Sequence, residues 1–506
     1  MYNNVFNARL VTFKKNNNAE MKKLIVYYTI FVGVVAFVSF FLHKSEDPNW
    51  AFVKEEGAWV LKQDGNSFFI RGAVMHHKVS RPELLKKIGG NVVRIEANVD
   101  LIREAYDSGL YAYVNLPILH QRDGMDWDCE AQVKELEMKI IEIVNKLKHH
   151  PGILMWSLGN EHAIIPGSDV NEGGYNKNVW EKLDKIAKKI KKVDPDHFVG
   201  YAVSPFNVEQ KLSEIVNYSQ NLDYIGLNAY DEMEDNLFAA NSVWKKPILI
   251  TEWGINGWWS KNWKGHRSAR EESTSFEKSR LIGERCRILE SSRKLCVGGI
   301  VFFWGDRDEQ SSTYWGLLHE DRTTDSIGAL ATVWGGDLIR ERSLELSRPN
   351  IENPNGAKIK KVQFVLRKEE KALKENESLS LGLEGGQLYE ASVFVENASG
   401  REIDYSWEIR NGLGKMVYGK SINELELLEG LIVEEEGPQI TFRAPKENGI
   451  YRLHAFAAEG ENYVAYSNVI FTVGRVNPKE KKEIDKKFEN DLPTLLPCNQ
   501  FSVKRS

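Results

Sequence analysis

Residues 152–161 read G-I-L-M-W-S-L-G-N-E, and the fold turns on that stretch. Ile153, Leu154, Met155, Trp156 and Leu158 form a short apolar run between Pro151-Gly152 and Gly159. A barrel strand covered on both faces has this pattern, and Asn160 and Glu161 come where it should end. Residues 246–254, K-P-I-L-I-T-E-W-G, repeat the design, with Glu252 after Ile248-Leu249-Ile250 and 91 positions beyond Glu161. In a parallel α/β barrel the C-terminal strand ends carry the chemistry, so both carboxylates are catalytic candidates. An arbitrary glutamate is better read as a helix cap or a salt-bridge partner. Two of them on two strand ends suit cleavage of a glycosidic bond.

Outward from these two segments, strand and helix patterns alternate. Candidate strands are 68–74, 91–96, 111–116, 153–158, 198–203, 224–228, 248–251 and 298–304, separated by helical patterns such as 129–147 and 179–192. Eight such units within about 300 residues predict an α/β fold, a (β/α)8 TIM barrel over residues 50–345. Ahead of it, residues 59–70 read as a hairpin with Asp64-Gly65 as its turn. A Pro/Asn/Gly-rich stretch makes 346–358 a linker. Short alternating segments at 388–395, 404–409, 439–442, 451–457 and 466–473 then predict a β-sandwich over 359–474. Residues 475–506, rich in Lys and Glu, read as a disordered tail.

The N-E of W-S-L-G-N-E and the E of T-E-W-G resemble the acid/base and nucleophile motifs of clan A retaining glycoside hydrolases, most closely the catalytic barrel of glycoside hydrolase family 2. F-F-I-R-G-A-V-M-H-H, at 68–77, resembles the entry to that barrel. The resemblance implies that Glu161 is the general acid/base and Glu252 the nucleophile. A retaining pair of this kind stands ~5–5.5 Å apart, against ~6.5–9.5 Å for an inverting pair. Arg94, in N-V-V-R-I-E, falls where family members hold an arginine that hydrogen-bonds the nucleophile; the competing reading is an ordinary salt bridge of the barrel wall. Tyr230, in I-G-L-N-A-Y, resembles the tyrosine that contacts the nucleophile, with Asn228 on the same wall. Asn160 is expected to donate to the sugar 2-hydroxyl, a bond that strengthens in the transition state.

Trp304, in V-F-F-W-G-D, resembles the indole floor under the reacting sugar, the alternative being a core tryptophan. His76 and His77 follow the first strand, and as neighbours on extended chain they cannot both face the pocket. Trp258, Trp259 and Trp263, in N-G-W-W-S-K-N-W, look like sugar-stacking platforms or a lid, as does Trp127 after the third strand. The chemistry calls for no metal or other cofactor, and a lone His pair does not make a metal site. The sandwich, with Y-S-W at 405–407 and I-F-T-V at 470–473, resembles immunoglobulin-like modules of carbohydrate enzymes.

At the amino end, residues 24–42 carry no charge and as a helix would reach ~29 Å, the thickness of a bilayer core. Lys14, Lys15, Lys22 and Lys23 precede the run, while Glu46 and Asp47 follow it. This predicts a single-pass signal anchor with residues 1–23 in the cytoplasm and the rest outside. A cleaved signal peptide is the competing reading; the run is long for one, and no small-x-small site follows. Met21 is an alternative start. Only ~25 residues separate the run from the first barrel strand, so the sandwich domains that usually precede a family 2 barrel are not expected.

A net charge of −5 over 506 residues gives no electrostatic case for nucleic acid. The expected partners are an oligo- or polysaccharide and, through 24–42, a membrane. Cys129, Cys286, Cys296 and Cys498 have neither metal-ligand spacing nor a disulfide pattern. The activity implied is retaining cleavage of a β-linked glycan. A transglycosylase would use the same covalent intermediate and pass it to a sugar hydroxyl. A reading of another class is a non-catalytic carbohydrate-binding or scaffold protein on an inactive barrel, against which stands the set Arg94, Asn160, Glu161, Tyr230, Glu252 and Trp304.

Overall fold

The computed structural model describes residues 48–121, 124–162, 178–257, 265–266, 269–270, 274–307, 311–336, 357–365, 382–397, 400–412 and 425–474. The expected span at 24–42, the tail from 475, and Trp258, Trp259 and Trp263 lie outside them. Among the described residues no helix is long and apolar enough to cross a membrane. The chain divides into Met1–Asn49 and Trp50–Ser506, and nearly all described residues belong to the second unit.

Eight parallel strands form the heart of that unit: β1 (Ile70–Val74), β2 (Val92–Glu96), β3 (Tyr111–Asn115), β4 (Ile153–Asn160), β5 (Phe198–Val203), β6 (Tyr224–Asn228), β7 (Ile248–Trp253) and β8 (Gly298–Val301). They close in the order β7-β8-β1-β2-β3-β4-β5-β6. A helix follows each: α1 (Pro82–Lys87), α2 (Val99–Asp107), α3 (Glu130–Leu147), α4 (Asn178–Val193), α5 (Val208–Tyr218), α6 (Met233–Val243), α7 (Ser275–Ser291) and α8 (Asp325–Trp334). This is the (β/α)8 barrel that the alternation implied. Helices cover the outer face and side chains fill the inside, so β4 and β7 are buried along almost their whole length.

Two strands depart from regular pairing where the chemistry is expected. β4 shifts register against β5 between Ser157 and Asn160, and β7 shifts against both neighbours beyond Ile250. Bulges re-aim the side chains that follow them. The β4 bulge requires Gly159 (φ +91°), where a Cβ would come within 2.0 Å of the His162 ring.

The N-terminal end of the barrel is closed by a small sheet in which Trp50–Glu55 pairs with Ala58–Gln63. Asp64 and Gly65, both at positive φ, turn that strand into Asn66–Ser67, as the Asp-Gly signal predicts. Trp50 meets Phe68 and Tyr111 edge-on, each at 4.9 Å, and Phe52 lies 4.1 Å from Phe198. Tyr111 and Phe198 open β3 and β5, so these rings plug the bottom of the barrel. Trp127, expected as an exposed platform, belongs instead to the core, with no accessible surface.

Beyond the barrel come β9 (Ala357–Val365), β10 (Leu388–Asn397), β11 (Asp404–Asn411), β12 (Ile432–Glu436), β13 (Gln439–Arg443), β14 (Gly449–Glu459) and β15 (Tyr463–Val473). One sheet runs β9-β10-β13-β12, and Trp407, Phe442, Leu453 and Phe471 pack among the residues of the sandwich core. The other sheet contains β15-β14-β11 and is continued by two short strands of the barrel, Leu318–His319 and Arg322–Thr323. Thr323 donates from its backbone N–H to Asn462 O at 2.8 Å. Lys278 of α7, buried, donates to Thr313 O, Gly316 O and the Tyr466 hydroxyl of β15 at 3.1, 2.6 and 3.0 Å. His319 stacks on Phe456 of β14 at 4.9 Å.

The scattered cysteines gave no reason to expect a disulfide, yet Cys129 is disulfide-bonded. Cys286 and Cys296 are free and buried, and burial pushes the Cys286 thiol well above its ordinary value and the Cys296 thiol up to about 12. Spacing along the chain carries no information on such pairing.

Candidate active site

Glu252 stands on the β7 bulge, with little of its surface exposed, between two donors. Arg94 Nη1 of β2 donates to its Oε1 at 2.9 Å, and the Tyr230 hydroxyl, just past β6, donates to its Oε2 at 2.6 Å. The guanidinium is itself fixed: Nη1 also reaches Thr251 O at 3.0 Å, Nε donates to Asn115 Oδ1 at 3.2 Å, and the Tyr113 ring lies 5.6 Å from its central carbon. A carboxylate and guanidinium buried together offset each other's desolvation only while both are present. The pair therefore holds Glu252 oriented and short of water.

Glu161 is differently placed. It follows β4 in the left-handed backbone region (φ 57°), with its N–H bonded to Ala202 O of β5 at 2.9 Å. A non-glycine residue holds that conformation only where its surroundings impose it, and such positions cluster at functional sites. Its side chain is half-buried and accepts from Asn228 Nδ2 at 2.7 Å. The same amide donates to Asn160 Oδ1 at 3.0 Å, while Thr251 Oγ1 donates to Asn228 Oδ1 at 2.9 Å. Asn228 is wholly buried. It does not line the pocket wall as expected; it ties β4 to the strand carrying Glu252 and holds Asn160 and Glu161 in place.

The histidine pair divides as its spacing requires. His77 is exposed and bonded to Glu96 at 3.2 Å, whereas His76 is half-buried, its ring 5.1 Å from Phe303. Burial, with the Arg307 and Arg94 guanidiniums and His77 beside it, pulls the His76 imidazole down to about 3. It is therefore a neutral hydrogen-bonding group near the catalytic arginine. Trp304 has the surroundings of the core alternative: it is 1% exposed, and its indole N–H donates to Ser80 O at 2.8 Å. A sugar floor needs an open face, which Trp304 does not offer. Trp315 packs 5.4 Å from Tyr230, behind the hydroxyl that bonds Glu252.

Thr251, Asn115 and Lys211 were not anticipated. Thr251 adjoins a motif glutamate and Asn115 ends a barrel strand, weak signals that many polar residues share. Lys211 had no signal at all.

A family model described as "Glycosyl hydrolases family 2, TIM barrel domain" matches residues 118–326, the stretch that carries Glu161, Asn228, Tyr230 and Glu252. Over that stretch the barrel resembles the TIM barrel domain of glycosyl hydrolase family 2. No protein of curated function matches the chain. Among solved structures, this chain is similar to Bacteroides uniformis beta-glucuronidase 2, with 15% identity, a TM-score of 0.44, and coverage of 84% of this chain and 48% of that one. It is also similar to a beta-D-glucuronidase of Dictyoglomus thermophilum, with 18% identity, a TM-score of 0.44, and coverage of 57% and 53%. Saccharomyces cerevisiae Gas2p in complex with laminaritetraose and laminaripentaose gives 12% identity, a TM-score of 0.40, and coverage of 57% and 68%. The chain spans about half the length of the glucuronidases, and likenesses this distant carry no argument about substrate.

Proposed function

We propose that the chain is a retaining glycoside hydrolase that cleaves a β-linked glycan by double displacement. The observation that carries this reading is the unequal treatment of two carboxylates on one barrel rim. Glu252 is clamped by a buried cation and a phenol, as an ionised nucleophile needs to be, while Glu161, half-exposed, accepts from the neutral Asn228 amide. In the first step Glu252 attacks the anomeric carbon as the glycosidic C–O bond breaks and Glu161 gives its proton to the leaving oxygen. In the second, Glu161 takes a proton from water, whose oxygen displaces Glu252 from the sugar. Asn160, fixed by Asn228, is the donor to the 2-hydroxyl, and neutral His76 is a polar contact beside the ring.

The test is to incubate residues 46–506 with a panel of β-linked glycans and follow the products by NMR and chromatography. Products that keep the β configuration are expected, with chain transfer appearing in the same traces if a sugar hydroxyl replaces water. An initially inverted product, or no turnover of any β-glycan, would refute the reading.

The barrel and sandwich are proposed to sit outside the cytoplasm, anchored through residues 24–42. The charge asymmetry around that run supports this, as does the disulfide at Cys129, since such bonds persist in oxidising, extracytoplasmic compartments. Protease added to intact cells should degrade both domains. Cleavage seen only after lysis would reverse the orientation.

A further inference from the structure

Lys211 is a buried cation for which the mechanism above has no use. It lies in the first turn of α5, its backbone N–H bonded to Asn207 O, and its side chain is only 8% exposed. Helical side chains lean toward the helix N-terminus, so the ammonium is carried to the rim where β5 ends. There Nζ donates to both the carbonyl and the hydroxyl of Ser204. Ser204 lies two residues beyond Ala202, whose carbonyl receives the backbone N–H of Glu161. The ammonium and the glutamate are thus fastened to the same short stretch of chain.

A cation there is disfavoured twice, by loss of water and by the positive end of α5, and two neutral Ser204 oxygens do not balance it. Burial draws the Lys211 amine down to about 8, and the carboxylate of Glu161 opposes that fall. Among the described residues, Glu161 is the charged group that acts on it. The other acids on the elements packed around it are Glu209 and Glu214 of its own helix, Glu181 and Asp184 of α4, and Glu234 and Asp235 of α6. Around the carboxylates the other titratable groups are Glu252, bonded to Arg94 and Tyr230; His162, whose Nε2 meets Ile118 O; and His76.

We propose that Lys211 is a positioning residue for the acid/base, a fixed counter-charge that stabilises Glu161 in its ionised form without touching substrate. The inference rests on the acid/base assignment of Glu161 made above. Glu161 becomes an anion when its proton goes to the leaving oxygen, and must remain one until water gives a proton back. Below about pH 8 Lys211 keeps its own proton, so there it acts as a fixed charge. Without the cation Glu161 holds its proton more tightly, so the protonated acid needed for the first step persists to higher pH.

The experiment is the pH profile of kcat/KM for a glycoside with a poor leaving group. The falling limb should move up by about 1 pH unit in Lys211→Met, the scale of one nearby opposite charge, and stay near wild type in Lys211→Arg. A limb that does not move in Lys211→Met, including a uniform loss of rate at every pH, overturns the proposal. If that variant does not fold, nitrogen NMR of the Lys211 ammonium decides. Its titration should fall in Glu161→Gln relative to wild type, and identical titrations overturn the proposal. Failure here is separable from failure of the parent reading. If Glu161→Ala loses activity equally on activated and unactivated glycosides, the acid/base assignment itself falls. If it spares activated ones while Lys211→Met leaves the limb in place, only the role of Lys211 is lost.

Discussion

Replacing Glu252 by alanine is expected to lower turnover of every glycoside by about 10⁴–10⁶-fold, the scale seen when a covalent nucleophile is removed from a preorganised site. Good and poor leaving groups should suffer alike, because the missing bond is the one to the anomeric carbon. The substitution has a structural cost too, since it strips the counter-ion from Arg94, which is 3% exposed and packed against Tyr113. An unpaired buried charge of this kind costs ~3–5 kcal/mol, so a lost melting transition could pass for lost chemistry. Glu252→Gln separates the two, keeping an acceptor for Arg94 or Tyr230 while remaining unable to attack. A folded Glu252→Gln protein that still turns over its glycan within tenfold of wild type would dismiss Glu252 as the nucleophile. Azide added to Glu252→Ala should take the vacated place and yield a glycosyl azide of inverted configuration.

Replacing Glu161 by alanine should act selectively. Glycosides whose leaving group needs a proton should slow by about 10²–10⁴-fold, the usual contribution of general acid–base catalysis. Those with a strongly acidic leaving group should still form the intermediate and then stall, because no base remains to activate water. Azide needs no base, so it should speed release and give a product of unchanged configuration. An inverted azide product from Glu161→Ala, or equal losses on both kinds of glycoside, would sink the assignment. Since Asn228 donates to both Asn160 and Glu161, the variant also frees one hydrogen of that amide. Some loss of 2-hydroxyl recognition is expected with it.

The barrel was legible because its strands are buried on both faces, and such strands write themselves as apolar runs ending in turns or motif residues. Phe198–Val203 and Tyr224–Asn228 match the expected boundaries at both ends. Three strands escaped notice for a common reason. Trp50–Glu55 ends in charged residues, Ala357–Val365 carries three lysines, and Ile432–Glu436 is mostly acidic. Segments this rich in charged residues lack the clean apolar alternation that makes other strands visible. In the site, Arg94 and Tyr230, both picked out by their motifs, bond Glu252 through hydrogen bonds that span more than twenty residues of sequence. Trp127 and Trp304 went the other way, since an indole in a loop and an indole in a core are the same letter. Asn228 and Lys211 owe their roles to where β5 and β6 end relative to the β4 bulge, a three-dimensional fact with no local signature.

The sheet shared by barrel and sandwich makes the second domain part of the catalytic apparatus in a mechanical sense. From Tyr466 of β15 a hydrogen bond leads to Lys278 and from there to Gly316 O, next to Trp315, whose ring backs Tyr230, whose hydroxyl holds Glu252. Five residues, Tyr466, Lys278, Gly316, Trp315 and Tyr230, thus form a strut from the outer module to Glu252. An enzyme built this way cannot lend its barrel out as a free-standing cassette: a break after α8 would tear a sheet and loosen the backing of the tyrosine at once. Recombination that swaps whole domains would have to carry barrel and sandwich together, as one inherited block.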